Sequence, residues 1–307
     1  MLRLETVSRA GMRADAVNGV SAPMGNRILE KHSIADGIVR LEIEAPKIAK
    51  KRKAGNFVVV RANEYAERIP LTIVDSDLGR GSITLIIQGV GKSTRFLNSL
   101  CAGDEIADVI GPLGHPTPID SFGNVVCVAG GVGTAEVLPI ARAAKAAGNE
   151  VISIIGARTR NLLILEQEMR ETSDELYVVT DDGSYERKGL VIHPLEDLIF
   201  EGRCLDVVFA IGPMQMMRAV SELTEPYNIK TFVSLNPVMI DGTGMCGGCR
   251  VVVGGQTKFA CVDGPEFDAH QVDFDTLILR NRAYIEEERI ALERFETEQI
   301  ARFEGLV

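Results

Sequence analysis

Tryptophan is absent from this chain, and histidine occurs only four times. No Ser/His/Asp or Cys/His arrangement accompanies these few imidazoles, so catalysis by side-chain acid-base groups or nucleophiles is not expected. The sequence lacks a run of about 18 apolar residues, which predicts that no helix spans a membrane. Its beginning lacks the uninterrupted apolar stretch of a secretion signal. We therefore expect a cytoplasmic protein without a catalytic triad.

An excess of basic residues is also lacking. The 307 residues include 33 Lys and Arg against 43 Asp and Glu, which gives a net charge of -10. Nucleic-acid-binding proteins need a basic surface, so nucleic acid is excluded as an expected partner. The length predicts two or three domains of roughly 100 to 200 residues each. Small ligands or other proteins are the expected partners.

Cysteine is too sparse for a disulfide scaffold, with six in the chain. Cys101, Cys127 and Cys204 share no spacing, and we predict that they are buried small apolar side chains. The other three cysteines are clustered between residues 246 and 261. This distribution indicates a reducing compartment and a metal centre.

The clustered cysteines follow an aspartate in the order Asp241-x4-Cys246-x2-Cys249-x11-Cys261. This is the ligand spacing of a plant-type 2Fe-2S ferredoxin loop with a carboxylate at the first position. Four glycines in the loop permit tight backbone around inorganic sulfide. The alternatives are three free structural cysteines or a structural zinc site, although a second paired-ligand knuckle is lacking and His270 is the only nearby histidine.

The chain divides into four segments by pattern. Residues 1–24 show no periodicity and are predicted to be a disordered extension. Residues 25–117 form short alternating runs between turn signals, which is typical of an antiparallel β-barrel. Residues 118–235 alternate strands with helices, which indicates a doubly wound parallel α/β sheet. Residues 236–307 contain the cluster loop and charged helical segments, so the predicted fold class is β plus α/β.

Two glycine-rich loops are candidate phosphate sites. Residues 130–134 (Gly-Gly-Val-Gly-Thr) join the first strand and first helix of the α/β segment, where helix amides favour a pyrophosphate. A purely structural turn is the alternative, because the full Gly-x-Gly-x-x-Gly fingerprint is missing. Residues 89–94 (Gly-Val-Gly-Lys-Ser-Thr) follow a barrel strand and are too short for a P-loop. They predict either an anion cradle or a capped helix.

Five motifs in one order carry a family resemblance. They are Arg68-Ile69-Pro70-Leu71-Thr72, the loop 89–94, the loop 130–133, Gly212-Pro213-Met214-Gln215-Met216-Met217 and the cluster loop. Together they resemble the ferredoxin-NADP reductase superfamily. Over about residues 25–290 the chain is similar to its iron-sulfur flavoprotein subunits, those of dihydroorotate dehydrogenase type B and of NADH-dependent ferredoxin:NADP oxidoreductase (sulfide dehydrogenase). The first kind would have cysteine at position 241, so Asp241 favours the second.

The resemblance implies FAD in the barrel. Arg68 would meet the pyrophosphate, while Pro70, Leu71 and Thr72 would contact the isoalloxazine. The ribityl and phosphate end would be held by Ile86, Ile87, Gln88, Lys92, Ser93 and Thr94. The chain departs from the family's Arg-x-Tyr/Phe-Ser/Thr pattern, because Arg68 and Thr72 are one residue too far apart and Leu71 replaces the aromatic residue.

The resemblance also implies a nicotinamide cofactor on the α/β segment. Its expected contacts are Gly131, Gly133 and Thr134 at the pyrophosphate, Gly156 and Arg158 at the adenosine ribose, and Gly212, Pro213 and Met214 at the nicotinamide. Asp181 lies in a further loop at a strand end, where it is either a ligand or part of a solvated turn. Arg158 and Arg160 could clamp a 2′-phosphate, so NADP stays open, but the resemblance favours NAD(H).

The implied function is electron transfer between NAD(H), FAD and a 2Fe-2S cluster whose ligands are Asp241, Cys246, Cys249 and Cys261. Hydride would pass between cofactors without a catalytic side chain. The implied partner is a larger flavin and 4Fe-4S subunit, with ferredoxin served indirectly. One alternative is the same role for dihydroorotate dehydrogenase type B. Another, of a different class, is a non-catalytic zinc-bearing binding module.

Overall fold

A computed structural model describes the backbone of residues 26–303 and the side chains of residues 26–298. The predicted disordered extension, residues 1–24, lies outside the described residues. No helix in the described range is both long and apolar enough to cross a membrane.

Residues 26–113 form two antiparallel sheets around one apolar core, with strand orders β5-β6-β2-β1-β7 and β4-β3-β8. Strand β4 is an edge strand, which suits Pro70 because proline cannot donate a ladder hydrogen bond. The elements are β1 (Asn26–Ala35), β2 (Ile38–Glu44), α1 (Pro46–Ala49), β3 (Phe57–Arg61), β4 (Arg68–Thr72), β5 (Asp75–Asp77), β6 (Ser82–Gln88), α2 (Lys92–Ser99), β7 (Glu105–Ile106) and β8 (Asp108–Leu113).

The next segment forms a parallel sheet of order β12-β11-β10-β9-β13-β14. Alternate residues of β9 enter different apolar cores, Val126 and Val128 on one face and Val125 and Cys127 on the other. A strand buried on both faces needs this continuous apolar run. The elements are β9 (Asn124–Gly130), α3 (Gly133–Ala146), β10 (Glu150–Ala157), α4 (Glu166–Thr172), β11 (Glu175–Thr180), β12 (Arg187–Lys188), α5 (Ile192–Phe200), β13 (Val207–Ile211), α6 (Met214–Thr224) and β14 (Lys230–Ser234).

The C-terminal segment contributes to the parallel sheet as well as carrying the cluster loop. Its strand β17 pairs antiparallel with β14, with Ser234 opposite Glu266. The predicted division at residue 235 therefore separates two strands that are neighbours in one sheet, and the domain boundaries stay predictions. The elements are β15 (Arg250–Val253), β16 (Gln256–Phe259), α7 (Ala260–Asp263), β17 (Glu266–Asp268), α8 (Phe274–Asn281) and α9 (Ile285–Phe303).

Helix α9 returns to the first sheets and packs against α2. Phe295 meets Phe96 edge to face with ring centroids 6.5 Å apart, and Arg95 forms an ion pair with Glu296. Aromatic pairs of this geometry contribute about 0.5–1.5 kcal/mol beyond the apolar area that they bury. The last helix is thus held partly by the chain's own barrel.

The expectation for the scattered cysteines is wrong in two cases of three. Cys127 is fully buried in β9, but Cys101 and Cys204 are exposed. Both exposed residues lie in loops between elements, next to acidic residues that keep the backbone at the surface. A small apolar side chain can stay exposed singly at little cost.

Candidate functional site

A cavity of about 700 Å³ opens where the first sheets meet the parallel sheet. Strand β9 has β10 on one side and β13 on the other, so the cavity lies at the point where the strand order reverses. In open α/β sheets, ligands bind in this crevice, outside the carboxyl ends of the strands. Ile38 and Gln88 of the first sheets complete its wall.

The first glycine loop forms the floor of this cavity. Gly131 has φ +59° and donates its N–H to the Gly156 carbonyl at 2.8 Å. A Cβ on Gly133 would lie 2.2 Å from the Ile211 carbonyl oxygen, so this position tolerates no side chain. Helix α3 begins at Gly133, which brings its N-terminal end to the cavity wall. The positive end of the helix dipole favours an anionic group.

Most of the residues predicted for the nicotinamide cofactor line the cavity. Seven of them do so: Gly131, Gly133, Gly156, Arg158, Asp181, Gly212 and Pro213. Thr134 is instead 2% exposed inside α3, and Met214 packs against the core and accepts from the Asn281 side-chain amide at 3.6 Å. Gln215 and Met216, the next residues of α6, line the cavity in its place. The predicted roles stay predictions.

The two arginines considered for a 2′-phosphate differ in position. Arg158 lines the cavity, whereas the Arg160 guanidinium lies over the Tyr185 ring, 4.8 Å from its centroid. Asp181 contributes a carboxylate to the same wall. A carboxylate accepts a hydrogen bond from a ribose hydroxyl but repels a phosphate. The wall thus carries one basic and one acidic residue, and the preference for NAD(H) stays a prediction.

The residues predicted for FAD lie in strands β4 and β6 and at the start of helix α2. Arg68, Pro70, Leu71 and Thr72 occupy β4, paired antiparallel with β3. The side chains of Ile86 and Ile87 are 6% and 1% exposed within β6, so a ligand could meet only their backbone. Gln88, at the end of the same strand, is half-buried and reaches the cavity.

Glu67, which the sequence analysis did not single out, connects the second glycine loop (residues 89–94) to the start of β4. Glu67 lies 3.8 Å from Lys92 Nζ and accepts a hydrogen bond from the Ser93 hydroxyl. Thr94 Oγ1 accepts from the Val90 and Gly91 amides, each at 3.0 Å, and so caps α2. The capped-helix prediction therefore holds for Thr94, while Lys92 and Ser93 contact Glu67, which precedes Arg68 in the sequence.

The cluster loop lies against the first sheets. A Cβ on Gly242, which has φ +73°, would meet a Leu113 methyl at 2.6 Å and a Val59 methyl at 3.0 Å. Leu113 and Val59 belong to β8 and β3. Glycine at this position lets the loop backbone approach the barrel closely.

The structure brings the four predicted cluster ligands together only in pairs. Cys249 Sγ and Cys261 Sγ are 3.2 Å apart, which is too long for a disulfide and close enough to share one metal. Cys246 is exposed, and its N–H donates to Asp241 Oδ2 at 2.8 Å. Within the described range, no three His, Cys, Asp or Glu side chains are grouped as a metal site. The donor set fits an iron-sulfur cluster chemically, and the ligand assignment stays a prediction.

Two of the predicted cluster ligands, Asp241 and Cys261, have shifted pKa values. Hydrogen bonds from the backbone amide of Thr243 and from Cys246 lower the pKa of Asp241. Burial and the neighbouring Cys249 thiol raise the pKa of Cys261 to about 12. A thiol with so high a pKa ionises at neutral pH only when a metal takes the thiolate. Asp241 supplies a negative charge without a metal, and Cys261 does not.

Two further acidic residues escaped sequence reasoning. Glu136 lies in the first turn of α3 and lines the cavity, and Glu266 lies in β17, opposite Ser234, which also lines the cavity. Burial raises the pKa of Glu136 to about 7 and that of Glu266 to about 8. The only local feature that could have singled out Glu136 is its place in the first turn of a helix. Acidic residues are common there, because they interact favourably with the helix dipole.

Known proteins resemble this chain over most of its length. The iron-sulfur cluster binding domain of dihydroorotate dehydrogenase B matches residues 236–273. A homologue of the dihydroorotate dehydrogenase B (NAD⁺) electron transfer subunit from Thermotoga maritima is 46% identical over 270 residues, covering 88% of this chain and 95% of that protein. The corresponding subunit from Geobacillus thermodenitrificans is 32% identical, with 80% and 96% covered.

Solved structures extend the comparison to the fold. The structure of an NADH-dependent reduced ferredoxin-NADP oxidoreductase, reported for flavin-based electron bifurcation, is similar with a TM-score of 0.83 and 44% identity, covering 90% of this chain and 99% of that chain. Phthalate dioxygenase reductase shares the fold at 17% identity with a TM-score of 0.53, covering 75% and 86%.

Proposed function

This chain belongs to the family of dihydroorotate dehydrogenase B electron transfer subunits, and from that premise we propose that it moves electrons between NAD(H), FAD and a 2Fe-2S cluster. The proposal rests on where the cavity and the cluster loop lie relative to the first sheets. Gln88, a residue of the first sheets, lines the cavity at the strand switch point. The cluster loop packs against the first sheets at Gly242. This placement supports three neighbouring cofactor sites within a single chain.

The chain's residues have binding and positioning roles in this proposal. When bound, the cofactors supply hydride transfer and one-electron transfer. Gly131 and Gly133 let the backbone approach a pyrophosphate, and Asp181 holds the adenosine ribose. Arg68, Lys92 and Ser93 neutralise and orient the phosphates of the flavin. Cys246, Cys249, Cys261 and Asp241 hold the cluster.

The chain acts within a larger complex, since its relatives are named as electron transfer subunits. We propose that the partner is a larger flavin and 4Fe-4S subunit that serves ferredoxin, because Asp241 stands where the resemblance implies cysteine for dihydroorotate dehydrogenase. A subunit of dihydroorotate dehydrogenase type B is the second candidate, favoured by the names of the curated relatives. A cytoplasmic location stays a prediction that rests on the cysteine usage.

Anaerobic purification of the full chain tests the proposal. We expect about one flavin, two irons and two acid-labile sulfides per chain, as the cofactor set requires, and bleaching of both chromophores by NADH. A colourless protein that contains zinc would establish the binding-module alternative. Copurification with the product of a neighbouring gene then separates the two oxidoreductase complexes, because dihydroorotate would reduce only one of them.

Replacement of Asp241 tests the cluster ligands. We expect Asp241→Cys to retain a 2Fe-2S cluster and to shift its midpoint potential, since a thiolate is softer and more covalent than a carboxylate. Redox titration followed by EPR measures this shift. Asp36→Cys, a matched change at an exposed turn, should leave the potential unchanged. An equal potential in the wild type and in Asp241→Cys contradicts the assignment of Asp241 as a ligand.

A further inference from the structure

Helix α2 carries three of the residues predicted for the flavin phosphates in its first turn. Lys92, Ser93 and Thr94 are the first three residues of this helix, which ends at Ser99. So short a helix is not stable by itself, because forming the first turn costs more than its few hydrogen bonds return. The position of the three phosphate residues therefore depends on what the rest of α2 packs against.

The inner face of α2 rests on the barrel near the C-terminal end of the helix. Leu97 is 1% exposed in the apolar core of the first sheets, and the Asn98 side-chain amide donates to the Gly37 carbonyl at 3.0 Å. Lys31 Nζ donates to the carbonyl of Leu100, the residue after the helix, at 2.7 Å. These contacts lie about one turn beyond the phosphate residues, so they fix the opposite end of the helix.

The outer face of α2 is held by the C-terminal helix α9, directly after the phosphate residues. The Phe96 and Phe295 rings meet edge to face with their centroids 6.5 Å apart, and the Arg95 guanidinium forms an ion pair with Glu296. Arg95 and Phe96 follow Thr94 in the sequence. Helix α9 thus contacts α2 through two adjacent side chains within one turn of the predicted phosphate ligands.

Burial along α9 concentrates at this contact. Residues 282–290 are all exposed, so the first turns of the helix have solvent around them. Partial burial begins at Ala291 and Leu292 and recurs one turn later at Phe295 and Glu296. Residues three and four positions apart share one face of a helix. Helix α9 therefore buries a single stripe, and this stripe includes the two residues that contact α2.

The exposed part of α9 is stabilised by its own ion pairs. Arg289 pairs with Glu286, three residues before it, and with Glu293, four residues after it, and both spacings stabilise a helix. The chain that leads into α9 is fixed beside the cluster loop, where the Arg280 guanidinium donates to the Gly248 carbonyl at 3.2 Å. Helix α9 therefore connects the part of the chain that carries the cluster loop with the helix that carries the phosphate residues.

We propose that Phe295 and Glu296 are positioning residues for the flavin site, which hold the outer face of α2 and so fix the three phosphate residues at its start. This inference rests on the proposed function, because those residues contact a flavin only if the barrel binds one. Without α9, the helix would be attached to the barrel mainly through its far end. A first turn that is less ordered must become ordered when the flavin binds, and this cost lowers the affinity.

Phe295→Ala removes the ring contact and tests this role. We expect the full-length chain, freed of flavin, to bind FAD about 3- to 10-fold more weakly, which is the factor that an aromatic pair of this geometry contributes. Its affinity for NADH should not change. Titrations with FAD, followed by its fluorescence, and with NADH in a calorimeter measure both affinities. Phe295→Tyr keeps the ring and should bind FAD as the wild type does. Ile290→Ala, in the exposed part of the same helix, is the matched control.

Hydrogen-deuterium exchange of the same flavin-free chains tests the physical cause. The amides of α2 should exchange faster in Phe295→Ala than in the wild type, because the helix opens locally more often, and those of β9 should exchange at the same rate. Glu296→Gln removes the ion pair and should change the exchange of α2 in the same direction by a smaller factor, since exposed ion pairs contribute little. It provides the comparison if Phe295→Ala does not fold.

The inference requires both changes. Exchange of α2 at the wild-type rate in Phe295→Ala and Glu296→Gln overturns it. An equal loss of affinity for FAD and NADH also overturns it, because that pattern reports a general loss of stability. A wild-type chain that binds no FAD overturns the proposed function and this inference with it. FAD bound equally well by the wild type and by Phe295→Ala overturns the inference alone.

Discussion

Cys249→Ser is expected to lose the iron-sulfur cluster. Cys249 is 1% exposed, and its sulfur lies 3.2 Å from that of Cys261. Serine is a harder ligand that stays protonated at neutral pH, and the neighbouring Cys246 and Cys261 are themselves predicted ligands. Changes around metal ligands cost roughly 10- to 100-fold in metal affinity, so loss of a ligand itself should cost at least as much. Iron and sulfide analysis with EPR measures the loss.

Two control measurements would show that the loss of the cluster is specific to Cys249. Cys204→Ser changes an exposed cysteine far from the cluster in sequence and should retain full iron content. Flavin content and NADH-dependent dye reduction should survive in Cys249→Ser, because the first sheets have their own apolar core. Normal iron and EPR signals in Cys249→Ser would show that the cluster is held elsewhere.

Gly133→Ala is expected to abolish binding of the nicotinamide cofactor. The added Cβ would lie 2.2 Å from the Ile211 carbonyl oxygen and 3.1 Å from Gly212 Cα, and both contacts are with backbone. Strand β13 and helix α3 must then separate, which displaces the helix N-terminus that faces the cavity. Overpacking of this kind costs about 1–3 kcal/mol. Calorimetric titration with NADH and urea unfolding measure the two effects.

Gly79→Ala is the matched control for this change. Gly79 lies in an exposed turn, has no positive φ, and would place its Cβ 3.3 Å from the flexible Asp77 side chain. It should bind NADH as the wild type does. Unchanged affinity in Gly133→Ala would place the cofactor away from this loop.

The local pattern of apolar and turn residues was sufficient to predict much of the fold. The segment predicted as an antiparallel barrel contains the strands Ile38–Glu44, Phe57–Arg61 and Ser82–Gln88, because alternation and turn residues act within a few positions. In the α/β segment, helix α4 begins at Glu166. Leu165 takes a left-handed conformation, φ 57°, that no sequence rule anticipates for leucine, and this residue delays the helix.

The sequence by itself determined the order of the motifs, the spacing of the cluster cysteines and the family. Glycine loops and ligand spacings are properties of a few consecutive residues, and so they can be read without coordinates. Only the tertiary structure decided that Glu67 reaches Ser93 and that Gly242 brings the cluster loop onto the barrel. These contacts join residues that are far apart in the chain, and they depend on how the sheets pack and desolvate side chains, which no local pattern records.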